Sequence, residues 1–455
     1  MIELTVGRGQ EVIGTLSSGS VGSSGSAGAA VFRYDPAYLA SGAAQPISRS
    51  LPLSLAPTLT SWFGGLLPGA ELRAHLARRL GVSDRNDLAL LAGVAGDCAG
   101  ALSLEAPDRP PVRRPRREPL PWPELAAAVS MEPRIPLLAL MLDEQELRLC
   151  LGGSQDKLPA CVDRDGGLSL PAGGAASTHV IKAAPGSRPD LVGNELLCLR
   201  LAAAVGLPVV DAWLATGAVP LLVTARYDRE VGDQPDAGAT VVGAPVAGAP
   251  AGALAGAPDA TVVKLHQEDL AQALGLPTTA RYEPEGGPSL AAIFDLVARV
   301  SERALADRQT LLDWVVFNLL IGNADGHAGN LSLLHGDPDR GPGSRLAPLR
   351  DLTCTAIYPG GSQRQAQAIG GAERPGKVDG DAWDRFAAAV GIKPRFVRQR
   401  VLHLAGRLSA VAADVAGAAI DQGVPDATAL RILTVIDQRI ATVRAGLGAG
   451  SGAEA

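Results

Sequence analysis

The sequence predicts an α+β fold of two lobes with a cleft between them. Strand-like runs of β-branched and aromatic residues cluster before residue 231. After residue 260, apolar residues recur every three or four positions, the helical period. With 455 residues, 47% apolar and 19% charged, the chain can bury a large core and carry two or three domains.

The elements follow in order. Residues 1–105 form a first unit, with strands at 2–6 and 31–34 around a Gly/Ser-rich turn. Helices are expected at 60–67 and 70–80, and a strand at 100–104. Residues 106–134 are rich in Pro and Arg at their start, which predicts an extended linker because proline prevents helix and like charges repel. From 135 a second unit begins. A Gly-rich loop at 152–157 precedes a strand that ends at Lys182. A helix over 191–205 is stopped by Gly206, with Pro208 beyond. Residues 231–260 are a low-complexity Ala/Gly/Pro insert. Helical spacing returns at 291–304 and 308–320, and in Leu430, Leu433, Ile436, Ile440 and Val443. The tail 446–455 is expected to be disordered.

Bulk properties exclude several classes. A net charge of −6 argues against a broad nucleic-acid binder. Five scattered cysteines without a C-x-x-C pair suit a reducing cytoplasm better than a disulfide scaffold or a zinc site. The N-terminus shows no signal-peptide pattern. The uncharged run 237–258 is interrupted by Pro245 and Pro250, so no membrane span is expected there.

Four constellations carry chemistry. Gly152, Gly153, Ser154, Gln155, Asp156 and Lys157 form a turn whose backbone amides can approach phosphate oxygens, although the P-loop spacing is absent. Alone it is an ordinary hairpin turn. Lys182 at a strand end, followed by Asn194-Glu195 on a helix, can hold phosphates through an ammonium fixed by a carboxylate. Alone that is a surface ion pair of little weight. Asp325 and Asn330 stand five positions apart in a Gly-rich loop, the spacing of an acceptor-orienting carboxylate and a metal-holding amide. His327 between them either touches a nucleotide or locks the loop by hydrogen bonds. Asp351 follows where a kinase places its main Mg²⁺-binding Asp, and alone it is an ordinary exposed Asp at a turn. Gly loop, strand Lys, helix Glu, Asp-x4-Asn and Asp is the order in which a kinase lays out its parts.

With these motifs the chain resembles the HipA family, serine/threonine kinases that act as toxins in bacterial toxin–antitoxin pairs. Further likeness lies in Phe32-Arg33-Tyr34, residues 46–53, Trp62 to Pro68, Gly96 to Ala101, Arg226-Tyr227-Asp228-Arg229 and His266-Gln267-Glu268-Asp269. The resemblance implies a HipA-like N-terminal subdomain over 1–105. It also implies a kinase-like domain over 135–410 and C-terminal helices over 411–445. It implies a phosphate loop at 152–157, phosphate binding by Lys182, and an adenine-side hinge at Ala225, Arg226 and Tyr227. Asp325 would be the catalytic Asp, Asn330 and Asp351 the Mg²⁺ ligands, and His327 a neighbour of the nucleotide. ATP and Mg²⁺ are the implied cofactors. The implied partners are a protein substrate and a small helix-turn-helix antitoxin that binds operator DNA. In known cases the family's substrate is an aminoacyl-tRNA synthetase, whose modification halts translation.

Two positions depart from the family pattern. A serine whose autophosphorylation silences the kinase commonly precedes the phosphate loop; here Cys150 stands there, and a thiol is not a substrate for that reaction. Ser154 is the nearest hydroxyl, and mass spectrometry of residues 148–160 after incubation with ATP tests it as a substitute. Gly329 stands where a lysine is common, so weaker ATP binding is expected. Two rival readings use the same residues: a kinase-fold module that mainly binds an antitoxin, and a small-molecule or lipid kinase.

Overall fold

A computed structural model describes residues 2–18, 30–94, 97–106, 115–131, 137, 149–150, 155–163, 165–215, 217, 219–231, 262–336, 343–362 and 364–448. The proposed phosphate-loop residues Gly152, Gly153 and Ser154, and nearly all of the 231–260 insert, lie outside them.

Two sheets build the first half. A seven-stranded sheet runs from edge to edge as Thr58–Thr60, Ala30–Tyr34, Glu11–Ser18, Glu3–Arg8, Leu102–Glu105, Asp97–Cys98 and Leu149–Cys150. A six-stranded sheet runs as Ala212–Ala215, Leu221–Ala225, His179–Ala183, Lys157–Val162, Leu168–Ala172 and Arg116–Pro119. One hydrophobic core serves both. Leu4, Val6, Phe32 and Phe63 pack in the same cluster as Leu158, Ile181, Leu221 and Val223. The expected first unit at 1–105 therefore has no core of its own.

The helical half encloses a second core. The long helix Pro394–Asp421 packs against Leu191–Ala204, Ala304–Ile321 and Asp426–Gly448. Its buried face carries Val397, Val401, Leu404, Leu408, Ala412 and Ala416, spaced at three and four residues. Among the described residues it alone is long and apolar enough to cross a membrane. Its buried stripe faces the core, and it packs on a fourth helix as well, Gly380–Ala389.

Several expectations change. Residues 60–67 are not an α-helix: the strand Thr58–Thr60 leads into a 3-10 turn, Trp62–Leu66. A Cβ on Gly65 would stand 2.7 Å from Gln272 Nε2, so the turn packs closely on that side chain. The Pro/Arg-rich linker is not free over its whole length. Arg116–Pro119 pairs antiparallel with Leu168–Ala172 at the sheet edge, where proline is tolerated, and Trp122–Val129 is helical. A boundary at 410 cuts through the helix Pro394–Asp421. The last helix continues to Gly448, past the expected start of a disordered tail at 446. Leu430 is exposed, and the buried stripe of that helix is Ala429, Ile432, Ile436, Ile440 and Val443.

Candidate active site

A cleft of about 640 Å³ opens between the sheets and the helical lobe, a size typical of small-molecule sites. Among the sequence-predicted residues, Gln155, Asp156, Lys157, Lys182, Glu195, Ala225, Arg226, Tyr227, Asp325, His327, Asn330 and Asp351 all line it.

Backbone register brings the two lysines together. Lys182 on the strand His179–Ala183 faces Lys157 on Lys157–Val162. Burial pulls the Lys157 ammonium down to about 8, with Lys182 and Arg350 adding to the effect against Asp351 and Glu195. Lys182 is 5% exposed and donates to Glu195 Oε1 at 2.6 Å, and it also pairs with Asp351. Burial would lower its pKa, but the carboxylates of Asp351 and Glu195 outweigh burial and raise it. Glu195 lies on the helix Leu191–Ala204 beside Asn194, whose side chain bonds both Cys354 N and Cys354 O, at 2.8 and 3.0 Å. That helix thus fixes both the lysine and the segment that follows Asp351.

The Asp325 loop grows out of the helix Ala304–Ile321, which ends on left-handed Gly322. Within the loop, Asp325 N bonds Asn323 Oδ1 at 3.0 Å, and Asn330 Nδ2 donates to Asp325 O at 2.9 Å. The second bond spends the nitrogen end of the Asn330 amide and leaves its oxygen to accept or ligate. The Asp325 carboxylate accepts from Tyr282 Oη. His327 Nδ1 is buried and has no hydrogen-bond partner among the described residues. Its ring does not lock the loop by hydrogen bonds; it packs edge-on against Tyr282 with centroids 5.0 Å apart. Burial lowers its pKa, so the imidazole is neutral at neutral pH.

Asp351 is the one described non-glycine residue with positive φ, 55°, a costly conformation tolerated best by Asp and Asn. Arg350 and Lys182 both pair with its carboxylate. Burial alone would raise that carboxyl, but Lys182, Arg350 and Lys157 together hold it well below the usual carboxylate range.

The hinge side chains are committed within the protein. Arg226 clamps Asp228 through two bonds, at 2.9 and 2.7 Å, and reaches Ser177 Oγ and Cys98 O. Tyr227 Oη bonds Gln267 Oε1 and Ser332 Oγ. Asp156 accepts from Leu137 N.

Donor chemistry fits a magnesium-bound nucleotide. No cluster of three or more His, Cys, Asp or Glu that could cage a metal occurs among the described residues. One carboxylate and one amide oxygen suffice for Mg²⁺, which takes its remaining ligands from phosphates and water. The orphaned His327 Nδ1 is a further polar atom that a ligand could satisfy.

A family model described as the HipA N-terminal domain matches residues 4–105, and one described as the HipA-like C-terminal domain matches residues 149–412. The chain belongs to the HipA family. A Sinorhizobium fredii protein named as a kinase, Y4mE, is 38% identical over 82% of this chain and 83% of its own length. The serine/threonine-protein kinase toxin HipA of Shewanella oneidensis is 25% identical over 81% of each chain. A solved structure of the Shewanella HipA, in complex with HipB and operator DNA, aligns with a TM-score of 0.75 at 24% identity. That alignment covers 98% of this chain and 97% of that one. The two-lobed α+β kinase-like fold and the general kinase assignment rest on these likenesses.

Within this HipA fold, sequence motifs far apart meet in pairs. Asp228 Oδ2 accepts from Gly100 N at 2.7 Å, joining the 226–229 motif to the 96–101 motif. Tyr34 Oη bonds Ile47 N and Leu51 O. Trp62 Nε1 donates to Glu268 Oε2 at 3.0 Å. Sequence reasoning missed Arg281, Tyr282 and Arg350 at the site. A basic–aromatic pair just ahead of Gly286-Gly287 was the available signal for the first two.

Proposed function

We propose that the protein is a Mg-ATP-dependent serine/threonine protein kinase of the HipA toxin type. The observation that carries the reading is the convergence of Lys182, Asp325, Asn330 and Asp351, separated by up to 169 positions, on one cleft. Lys182, oriented by Glu195, and Lys157 would bind phosphate oxygens. Asn330 and Asp351 would hold Mg²⁺, which supplies charge neutralisation of the transferring phosphoryl group. Asp325 would align the acceptor hydroxyl and take its proton. The 152–157 turn would cover the phosphates. Residues 225–227 would border the base, with the Arg226 and Tyr227 side chains already spent on the protein. Such a site works mainly by positioning and electrostatics.

A small helix-turn-helix antitoxin is the proposed partner, supported by the fold match to a HipA crystallised with HipB and operator DNA. DNA would be met only through that partner. The acceptor is a protein hydroxyl, with translation factors such as an aminoacyl-tRNA synthetase as the class the family likeness suggests. A cytoplasmic setting is in keeping with the free thiols of Cys98, Cys161, Cys198 and Cys354.

The test is transfer of label from γ-labelled ATP to proteins of a cell extract, with wild type and Asp325→Gln. A labelled band lost in the variant supports the reading. Equal labelling by both removes Asp325 from its role.

A further inference from the structure

The Asp325 carboxylate is held from one side. Tyr282 Oη donates to Asp325 Oδ1, and no other side chain bonds that carboxylate among the described residues. Asp325, His327 and Arg281 line the cleft, whereas Tyr282 is half-buried and is not part of the lining. One carboxylate oxygen therefore meets the phenol and the other is left for the cleft.

The backbone beneath Tyr282 is pinned. Tyr282 O accepts from Glu285 N and Gly287 N, at 2.9 and 2.8 Å. A Cβ on Gly287 would stand 2.7 Å from Tyr282 C and O, so only glycine permits this turn. Residues 366–368 clamp the same segment: Glu283 N bonds Ala366 O, Gln367 Nε2 bonds Arg281 O, and Ala368 N bonds Glu283 Oε2. The ring leans edge-on against His327. Burial and the neighbouring Asp325 charge both raise the phenol's pKa, so it stays a donor throughout the neutral range.

We propose that Tyr282 is a positioning residue for phosphoryl transfer. By occupying Oδ1 it fixes the rotation of the Asp325 carboxylate and presents Oδ2 to the acceptor hydroxyl. The inference rests on the kinase reading and deepens it. A carboxylate with one oxygen pinned has a single rotamer from which to accept the acceptor's proton, and a freely turning one loses that alignment. The role is local to Asp325 and touches neither phosphate nor metal. Removal of the hydroxyl should lower turnover and leave nucleotide affinity alone.

The experiment compares wild type, Tyr282→Phe, Asp325→Asn and the double variant. Turnover of Mg-ATP is measured with water as acceptor and with extract proteins as acceptor, and ATP affinity by calorimetry. Tyr282→Phe keeps the ring and its packing, and thermal melting checks that it folds. Expected is a kcat about tenfold lower for Tyr282→Phe, with ATP affinity unchanged. In the Asp325→Asn background, Tyr282→Phe should cost nothing further, because both changes disable one device. Faster turnover by Tyr282→Phe would make the phenol an obstacle to the acceptor and overturn the proposal. Unchanged turnover, weaker ATP binding, or an equal further loss in the Asp325→Asn background would overturn it too. If Asp325→Asn turns over as wild type does, the kinase reading itself fails and takes this proposal with it.

Discussion

Lys182 Nζ stands 2.6 Å from Glu195 Oε1 and pairs at the same time with Asp351, so one buried ammonium serves two carboxylates. Burial raises the Glu195 carboxyl and would raise Asp351, and the cation is what keeps the cluster compatible with the interior. Replacing Lys182 by Met strands the buried Glu195 carboxylate and leaves the partly exposed Asp351 with Arg350 alone. The expected loss is about 3–5 kcal/mol of stability, read by urea denaturation. Lys182→Met/Glu195→Met should recover part of it, since an apolar pair in place of an ion pair strands no charge. A double variant as unstable as the summed singles would show that the pair is not coupled.

Lys157 sets a pH dependence. With its ammonium pulled to about 8 by burial, the free site is mostly protonated at neutral pH and mostly neutral about one unit above 8. Phosphate oxygens favour the charged form, so binding raises the pKa. Nucleotide binding should then take up a proton above about pH 8 and almost none near pH 6.5. Calorimetry in two buffers of different ionisation heat reads the uptake. Lys157→Met should abolish it and flatten the pH dependence of affinity. Uptake that survives the substitution would assign it to another group.

How much of this was legible depends on the range of the interaction. The Asp325 loop could be read because its cause is local: an apolar helix closed by Gly322, then polar residues that bond within ten positions. Lys182 and Glu195 could be read because a strand end and the next helix form a short connection. Arg350 and Tyr282 could not. Arg350 pairs with its neighbour Asp351, but its bond to Gly329, 21 positions away, and the bond of Tyr282 to Asp325, 43 positions away, are encoded by no pattern. The sequence predicts an extended segment at 116–119, and the structure has a strand there, but its pairing to Leu168–Ala172 is invisible without the partner strand. In the last helix apolar residues occupy two adjacent faces, so spacing alone did not decide between Leu430 and Ile432 as the buried one.

Arg281 modifies the expectation drawn from Gly329. A Cβ on Gly329 would stand 3.4 Å from Arg281 Cδ and 3.2 Å from the His327 ring. The arginine stem lies beside position 329 in the same cleft, and no hydrogen bond or ion pair holds its guanidinium among the described residues. It can therefore supply the positive charge that Gly329 lacks. Arg281→Ala should weaken ATP binding about tenfold. Gly329→Lys should change affinity little alone and restore it in the Arg281→Ala background. Nucleotide titrations of the four proteins check this. A Gly329→Lys gain that is the same with and without Arg281 would show that the two positions act independently.

The two sheets share one core, which predicts how the chain unfolds. Ile181, Leu221 and Val223, on the strands that carry and flank Lys182, pack with Phe32, Phe63 and Leu102. Across the same boundary Arg229 bonds Cys98 O and Gly100 O, and Trp62 bonds Glu268, a fully buried carboxylate. Removing residues 1–105 would bare that apolar face and leave buried charged groups without partners, so the remaining chain should not fold to a soluble kinase lobe. In the intact protein, hydrogen exchange of amides in the two sheets should report a single coincident urea transition for both. Trp62→Phe, which strands one oxygen of Glu268, should shift that whole transition by about 1–3 kcal/mol. Two separated transitions, or a shift confined to one sheet, would mean that the N-terminal strands unfold on their own. In that case the Lys182 strand would not depend on them for its position in the cleft.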